Sequence, residues 1–208
     1  MAPTPPSVRP PALTFPPELL LAARGAGDGI AVAIFDVDGV LTDGSVYIGE
    51  HGEMFKAFST LDGQGLKLLA QGGIVPIVVT GRDSAAVRRR VAELGLAHAA
   101  YGAADKLAAA EALLAALAIG WERVAVIGDD WPDLPLMARA AFAAAPANAH
   151  VEVRAVAHHV TTAVGGHGAA REFCDLLLVA AGRYAALLRG PQLALDTVAA
   201  AGPADGAG

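Results

Sequence analysis

Two aspartates separated by one residue follow an apolar run near the start of the chain. Asp36 and Asp38 come directly after Ile30–Phe35, a stretch typical of a strand buried on both faces. In open α/β sheets the ligand crevice lies beyond the carboxyl ends of the strands, so both carboxylates are expected to face a site. Asp36 suits a nucleophile for phosphoryl transfer, and Asp38 suits a general acid that later acts as base for water. Taken alone, the pair also fits a strand end capped by turn-forming aspartates.

A hydroxyl and an ammonium group follow at positions where they could contact the same phosphate. Thr80 and Gly81 end the apolar run Ile74–Val79, so the threonine hydroxyl and the glycine amide could donate to phosphoryl oxygens. Lys106 lies near the start of an Ala-rich helix predicted to begin around Asp105, where a cation opposes the helix dipole at a cost of about 0.3–1 kcal/mol. That placement indicates a use. Taken singly, a structural strand end and a solvated lysine explain these residues as well.

Three further aspartates follow another apolar run, Arg123–Ile127. Asp129, Asp130 and Asp133 stand in the sequence Gly-Asp-Asp-Trp-Pro-Asp. Carboxylates, water and phosphate oxygens are the ligands that octahedral Mg²⁺ requires, so Asp129 is predicted to be a direct ligand. Asp130 and Asp133 are candidates for orienting bound water or Lys106.

These strand ends belong to an alternation of strands and helices that covers most of the chain. Short apolar runs predict strands at Ile30–Phe35, Ile74–Val79, Arg123–Ile127 and Phe142–Ala145, with weaker candidates near Ala99 and Val160. Helices are predicted at Pro17–Arg24, Gly65–Gln71, Ser84–Leu94, Asp105–Leu117, Leu134–Ala141, Ala149–Val156 and His167–Gly182. The pattern predicts an α/β protein: a Rossmann-like three-layer fold with a mainly parallel central sheet and helices on both faces.

One segment, residues 45–58, interrupts this alternation. Its apolar runs flank a glycine-containing turn, which predicts a β-hairpin that protrudes where a cap domain could otherwise stand. Such a hairpin leaves edges and an apolar face without partners in its own domain, so it favours contact with another chain. The domain is predicted to span residues 17–184, between a disordered Pro-rich arm at 1–16 and a mobile tail at 185–208.

Composition narrows the possible partners. The formal net charge of -6 gives no attraction to nucleic acid or anionic lipid, and no apolar run is long enough to span a membrane. The N-terminus lacks the layout of a secretory signal, so a cytoplasmic location is predicted. The one cysteine, Cys174, lies in an apolar stretch and excludes an internal disulfide.

The motifs resemble those of the haloacid dehalogenase superfamily, in the order Asp36-Val-Asp38-Gly-Val, Thr80-Gly, Lys106 and Gly-Asp129-Asp130. The resemblance implies an aspartyl-phosphate intermediate on Asp36, with Thr80 orienting the phosphate and Lys106 neutralising it. It also implies that Asp36, Asp129 and the main-chain carbonyl of Asp38 hold Mg²⁺.

Residues 30–184 resemble in particular the cap-less subgroup that hydrolyses 3-deoxy-D-manno-octulosonate 8-phosphate for the lipopolysaccharide inner core. The most diagnostic stretch is the glycine-rich segment that begins at Gly165. The resemblance implies a homotetramer joined by hairpins, in which part of each chain closes a neighbour's site and excludes water from it. The residues predicted for that closure are Gly165, Gly166, His167 and Arg171.

For the substrate, an acidic sugar phosphate, the resemblance implies contacts with cations and with the loop 59–63. The predicted contacts are Ser59, Thr60, Leu61, Asp62, Gly63, Lys67, Gly81, Arg82, Arg90 and Lys106. Arg82 favours the octulosonate, because relatives acting on nine-carbon sialic-type substrates tend to carry an acidic residue there. A nonulosonate 9-phosphate phosphatase and a non-catalytic tetramerisation module remain the alternatives.

Overall fold

The computed structural model describes residues 11–190 of the 208-residue chain. Its strands are β1 (Val32–Phe35), β2 (Ile48–Gly49), β3 (Gly52–Glu53), β4 (Val75–Val79), β5 (His98–Ala100), β6 (Val124–Ile127), β7 (Phe142–Ala145) and β8 (His159–Val160). Its α-helices are α1 (Pro17–Arg24), α2 (Thr60–Gln71), α3 (Ala85–Leu94), α4 (Lys106–Leu117), α5 (Leu134–Met137), α6 (Val151–Val156) and α7 (Ala169–Ala180). Short 3-10 turns cover Trp121–Arg123 and Trp131–Asp133.

Six strands form a parallel sheet in the order β5-β4-β1-β6-β7-β8. The chain starts in the middle with β1, extends to one side through β4 and β5, and then crosses to β6 on the other side of β1. This reversal beside β1 is the place where open α/β sheets form their ligand crevice. The predicted fold class is confirmed, and so are the candidate strands near Ala99 and Val160.

The core consists of two apolar layers, one on each face of the sheet. Alternate residues of β1 serve the two layers: Ala33 and Phe35 face one, and Val32 and Ile34 face the other. The first layer is covered by α1, α2, α3 and α7, and the second by α4, α5 and α6. Because both faces are covered, β1, β4, β6 and β7 are apolar throughout, as the sequence pattern indicated.

The predicted hairpin is present, but its ladder is short. Ile48 pairs with Glu53 in the antiparallel β2–β3 pair, and the Met54 amide donates to the Tyr47 carbonyl at 2.8 Å. The apolar side chains of Tyr47, Ile48, Met54 and Phe55 are exposed, and the Tyr47 and Phe55 rings stack at 4.4 Å.

Helix α2 begins earlier than predicted, and this corrects the loop expected at residues 59–63. The Ser59 hydroxyl caps the helix by accepting a hydrogen bond from the Asp62 amide at 3.3 Å, so Thr60 is already helical. Gly63 and Gly65 weaken the helix signal in the sequence. Both are accommodated by packing instead, since a methyl group at Gly65 would press on Arg171 and Cys174 of α7.

Packing extends past both predicted ends of the domain. Phe15 packs against the core, and residues 184–190 are helical, with Tyr184 and Leu187 packed against the same layer. The rest of the predicted arm and tail, residues 1–10 and 191–208, lies outside the described residues. Over residues 11–190, no helix is long and apolar enough to cross a membrane.

Candidate active site

The carboxyl ends of β1, β4 and β6 open into one cavity of about 470 Å³. The residues that line it share a position just after a strand or at the start of α4. They are Asp36, Asp38, Gly44, Thr80, Gly81, Arg82, Ala103, Ala104, Lys106, Asp129, Asp130, Pro132 and Asp133. The acidic, hydroxyl and basic residues of the four sequence motifs therefore meet in one place.

Lys106 joins two of the carboxylates. Its Nζ donates to Asp36 Oδ1 and to Asp133 Oδ1, both at 2.7 Å, and all three side chains are buried. Asp105 caps α4 by accepting from the Ala108 amide at 3.0 Å, which holds the lysine at the first helical position. Burial alone would lower the pKa of Lys106, but the Asp36 and Asp133 carboxylates raise it, so the ammonium form is favoured.

Asp133 also fixes the loop that follows β6. Its Oδ2 accepts from the Asp129 amide at 3.2 Å, so the carboxylate is held between this loop and Lys106. Gly128 is required beside it, because a side chain there would collide with Asp133. The orienting role predicted for Asp133 is consistent with these contacts.

The carboxylates outnumber the cations at the centre of the cavity. Carboxylate oxygens of Asp36, Asp129 and Asp133 lie within 4.8 Å of one another, with Lys106 as the ammonium among them. Burial, and then the Asp133 carboxylate, raise the pKa of Asp129 to about 6. The same two causes raise the pKa of Asp36 well above its ordinary value despite Lys106. This charge and oxygen donor set fits a divalent cation such as Mg²⁺.

The loop after β1 leaves room for Asp129. Gly39 adopts a positive φ of 96°, and a side chain there would collide with the Asp129 carboxylate. Thr42 is buried and donates to the Val37 carbonyl at 3.3 Å, which closes the loop on itself.

The second motif supplies a buried hydroxyl. Thr80 Oγ1 accepts from the Arg82 amide at 3.3 Å, which leaves its own proton available to a ligand. Arg82 is largely exposed at the cavity, with its Nε 3.9 Å from Asp38 Oδ2. Asp130 is exposed and caps the turn that begins at Trp131. Its Oδ1 accepts a hydrogen bond from the Trp131 amide at 2.8 Å.

Lys56 is a site residue that the sequence reasoning missed. Its side chain is completely buried, and its Nζ donates to Asp38 Oδ1. A second carboxylate, Glu53, lies 3.3 Å from the same nitrogen. Lys56 lies between apolar residues of the hairpin, so the sequence did not indicate that its side chain is buried. Its partner Asp38 is 18 residues away, and only the fold brings the two together.

None of the five residues predicted to bind substrate from the segment 59–63 lines the central cavity. Ser59, Thr60 and Leu61 line a neighbouring cavity of about 470 Å³, which His167 also lines. Asp62 and Gly63 are buried and do not line it. The Asp62 carboxylate accepts from the Gly168 and Arg171 amides at 3.2 and 2.8 Å, so it joins α2 to α7.

The two remaining cations of the substrate prediction also lie away from Asp36. Arg90 donates to the Ser59 carbonyl at 3.2 Å and sits over the Phe58 ring, so within this chain it supports the start of α2. Lys67 is exposed on α2 and lines neither cavity.

The residues predicted to close a neighbour's site have contacts within their own chain. A side chain at Gly165 would overlap the Gly39 carbonyl, and the Gly166 amide donates to the Val40 carbonyl at 2.9 Å. Arg171 pairs with Asp175 at 2.9 Å on α7. The glycine pair therefore supports the loop after β1.

Comparison with known proteins shows that the chain belongs to the haloacid dehalogenase-like hydrolases. The family model matches residues 100–173, which include Lys106 and Asp129. A curated relative from Escherichia coli strain K12 is 44% identical over 156 residues, 75% of this chain and 83% of that protein. That relative is the 3-deoxy-D-manno-octulosonate 8-phosphate phosphatase KdsC.

Solved structures agree with this relationship. The 3-deoxy-D-manno-octulosonate 8-phosphate phosphatase of Yersinia pestis is 40% identical with a TM-score of 0.76, over 81% of this chain and 89% of that one. The phosphatase of the same name from Moraxella catarrhalis, solved with magnesium, phosphate and KDO, is 40% identical with a TM-score of 0.77. That match covers 82% of this chain and 96% of the other.

Proposed function

We propose that the protein hydrolyses 3-deoxy-D-manno-octulosonate 8-phosphate to KDO and inorganic phosphate, as a step towards the lipopolysaccharide inner core. The observation that carries the proposal is the buried contact of Lys106 with Asp36 and Asp133, beside Asp129, in a chain 44% identical to KdsC.

Asp36 acts as the nucleophile. Lys106 occupies Asp36 Oδ1, so Oδ2 is the oxygen left to attack phosphorus. The bond from phosphorus to the sugar oxygen breaks, and an aspartyl phosphate forms on Asp36. Lys106 stays in place and offsets the charge of the phosphoryl group.

Asp38 transfers protons in both halves of the reaction. It first donates a proton to the departing sugar oxygen, which leaves as an alcohol. The carboxylate then takes a proton from the water that attacks the aspartyl phosphate. Inorganic phosphate is released and Asp36 is regenerated.

Thr80 and Gly81 orient the phosphoryl group. The free proton of the Thr80 hydroxyl and the Gly81 amide are donors at the end of β4, facing the cavity that Asp36 lines. Donors fixed in advance stabilise developing charge without reorganising during the reaction.

Asp36, Asp129 and the main-chain carbonyl of Asp38 would hold Mg²⁺. The ion, when bound, offsets the negative charge that phosphate and carboxylates bring together. Asp133 is engaged by Lys106 and the Asp129 amide, so it orients these groups, and Asp130 orients bound water.

The substrate carboxylate is recognised by Arg82, which lines the cavity and presents a planar guanidinium suited to a carboxylate. The other proposed contacts, from Ser59 to Gly63 with Lys67 and Arg90, do not line this cavity and would act where chains assemble. His167 lines the neighbouring cavity together with Ser59, Thr60 and Leu61, so it is proposed to act with them where chains assemble.

The protein is proposed to work as a homotetramer that assembles through its hairpins. Four exposed apolar side chains on the hairpin support this: Tyr47, Ile48, Met54 and Phe55. A cytoplasmic location also stays a prediction.

The test is phosphate release from the octulosonate 8-phosphate, a sialic-type nonulosonate 9-phosphate and p-nitrophenyl phosphate, each with and without Mg²⁺. We expect Mg²⁺-dependent turnover with preference for the octulosonate. Asp36→Asn is expected to lower the rate by about three orders of magnitude or more. Asp28→Asn, at an exposed aspartate outside the cavity, is the matched control.

Two results would contradict the proposal. Preference for the nonulosonate would show that the substrate is wrong. Full turnover by Asp36→Asn would show that the mechanism is wrong, and absence of turnover on all three esters would favour a non-catalytic module.

A further inference from the structure

Lys56 is a buried ionic side chain that the mechanism above does not use. Its side chain is 0% exposed, and its Nζ contacts Asp38 Oδ1 and Glu53 Oε2. Burying an ammonium group costs several kcal/mol unless it is paired, and here two carboxylates pair it. One of the two partners, Asp38, lies outside the hairpin, so the lysine links the hairpin to the loop after β1.

The lysine is itself held in place from a second direction. Ser84, at the start of α3, donates its hydroxyl to Glu53 Oε1, and the other oxygen of Glu53 faces Lys56. Partial burial alone would raise the pKa of Glu53, but the hydrogen bonds from Ser84 and Lys56 lower it, so the carboxylate stays ionised. Ser84, Glu53 and Lys56 thus form a series of contacts that links α3, through the hairpin, to Asp38 in the loop after β1.

These contacts fix one carboxylate oxygen of Asp38, while the other faces the cavity. Oδ1 is bound by Lys56, while Oδ2 has Arg82 at 3.9 Å and the carboxyl remains 21% exposed at the cavity. A proton-transferring carboxyl must keep its reactive oxygen within hydrogen-bond reach of the reacting atom. Without Lys56, Asp38 could rotate on a loop that bends at Gly39.

We propose that Lys56 is a positioning residue that holds the Asp38 carboxyl in the orientation needed for proton transfer. The proposal rests on the proposed function, in which Asp38 protonates the leaving oxygen. The hairpin therefore supplies a part of the active site as well as an exposed apolar surface.

The experiment compares esters that differ in their need for a proton. A sugar or simple alkyl alkoxide must be protonated as it leaves, whereas p-nitrophenolate leaves as a stable anion. The quantity measured is kcat/KM, which reports the steps up to phosphoryl transfer and excludes the later hydrolysis of the aspartyl phosphate.

For Lys56→Met we expect kcat/KM to fall by about 10- to 100-fold on the octulosonate 8-phosphate and on a primary alkyl phosphate. On p-nitrophenyl phosphate the expected fall is less than about 3-fold, since that ester needs little general-acid help. Arg89→Met, which removes an exposed arginine paired with Glu93, is the control and should change neither. Lys56→Gln keeps a polar group in the buried position and replaces Lys56→Met if the latter does not fold.

A double-mutant cycle distinguishes positioning from a structural role. If Lys56 acts through Asp38, then adding Lys56→Met to Asp38→Asn should cost less than about 2-fold, because the group to be positioned is already gone. Equal losses on all three esters, or a full additional loss in the Asp38→Asn background, would overturn the proposal.

The outcomes also separate this inference from the proposed function. A wild-type enzyme that hydrolyses the alkyl and nitrophenyl esters but not the octulosonate refutes the substrate, while the Lys56 comparison still runs on the two remaining esters. If Asp38→Asn lowers kcat/KM equally on all three esters, then Asp38 is not the general acid. In that case the positioning role of Lys56 is refuted as well.

Discussion

At the scale of single residues, charge balance explains why Asp36, Asp129, Asp133 and Lys106 must be considered together. Three carboxylates around one ammonium group leave an excess of negative charge in a buried cavity. The raised pKa values of Asp36 and Asp129 are its physical consequence. In the metal-free protein, the carboxylates therefore repel one another at the place where the reaction occurs.

This repulsion between carboxylates predicts that the stability of the folded protein depends on pH. Because the pKa of Asp129 is raised from 3.8 to about 6, the folded state holds that proton more tightly, and the associated stability is lost as pH rises from about 3.8 to about 6. Asp129→Asn should remove this loss and stabilise the metal-free protein above that pH by about 1–3 kcal/mol. Denaturant unfolding of the variant and the wild type near pH 4 and above pH 6 measures this difference. A variant less stable than wild type at high pH would contradict the charge argument.

Metal binding should offset the same repulsion between the carboxylates. Mg²⁺ at 100 times its dissociation constant would stabilise the wild type by about 2.7 kcal/mol, because it binds the folded state. Asp129→Asn should lose most of this gain, which thermal unfolding with and without Mg²⁺ measures without reference to activity. Equal stabilisation of Asp129→Asn and wild type would place the ion elsewhere.

At the scale of elements, the segment before α7 fixes the loop that carries Asp38. Gly165 packs against the Gly39 carbonyl so closely that a methyl group would overlap it. Backbone cannot yield as a flexible side chain does, so overpacking here has to move the loop.

Gly165→Ala is therefore expected to lower the free energy of unfolding by about 1–3 kcal/mol and to reduce turnover as well. Gly190→Ala, where the added methyl meets none of the residues 11–190 within 4 Å, is the matched control. Unfolding and initial-rate measurements on both variants test the difference. An unchanged Gly165→Ala would mean that the two segments do not touch in solution.

A second link at this scale joins α7 to the chain after β8. Glu172 accepts from the Thr162 hydroxyl at 2.6 Å and contacts His159 Nε2 at 2.9 Å. Burial alone would raise its pKa, but the hydrogen bonds from His159, Thr162 and Ala163 lower it to about 2. The link is thus strong only while the carboxylate is ionised.

Glu172→Gln should destabilise the protein by about 1–3 kcal/mol near neutral pH. A depressed pKa contributes stability above the unfolded value near 4.5, and that contribution is lost as pH falls towards about 2. The difference from wild type should therefore shrink in acid, as unfolding curves against pH would show. The exposed Glu18→Gln is the control, and a difference that persists in acid would contradict the link.

The same scale shows what the sequence could predict. Strands were predictable because β1, β4 and β6 are buried on both faces and so read as continuous apolar runs. The start of α2 was not, because Gly63 and Gly65 are tolerated only through contacts with other elements. Packing overrode local propensity there.

At the scale of the whole molecule, topology brings distant residues together. Lys106 and Asp36 are 70 residues apart and meet because their elements end at one edge of the sheet. The four motifs predicted this meeting. The Lys56 contact depends on how the hairpin folds back onto the loop after β1, which no local pattern encodes.

The hairpin also gives the molecule a surface to test. Ile48 is 66% exposed on it, and Ile48→Lys would place a charge in the proposed contact between chains. Light scattering should find four chains per particle for the wild type and fewer for this variant. Leu21→Lys, at a residue 74% exposed on α1, should leave assembly unchanged. A wild-type monomer would contradict the tetramer.

The central claim is that Asp36 carries the phosphoryl group during turnover. Rapid acid quench of the wild-type enzyme with Mg²⁺ and octulosonate 8-phosphate, followed by proteolysis and mass spectrometry, locates any phosphoryl adduct. We predict a phosphorylated peptide modified at Asp36, and none from Asp36→Asn. Turnover with no adduct on Asp36, or an adduct on another residue, would contradict the account.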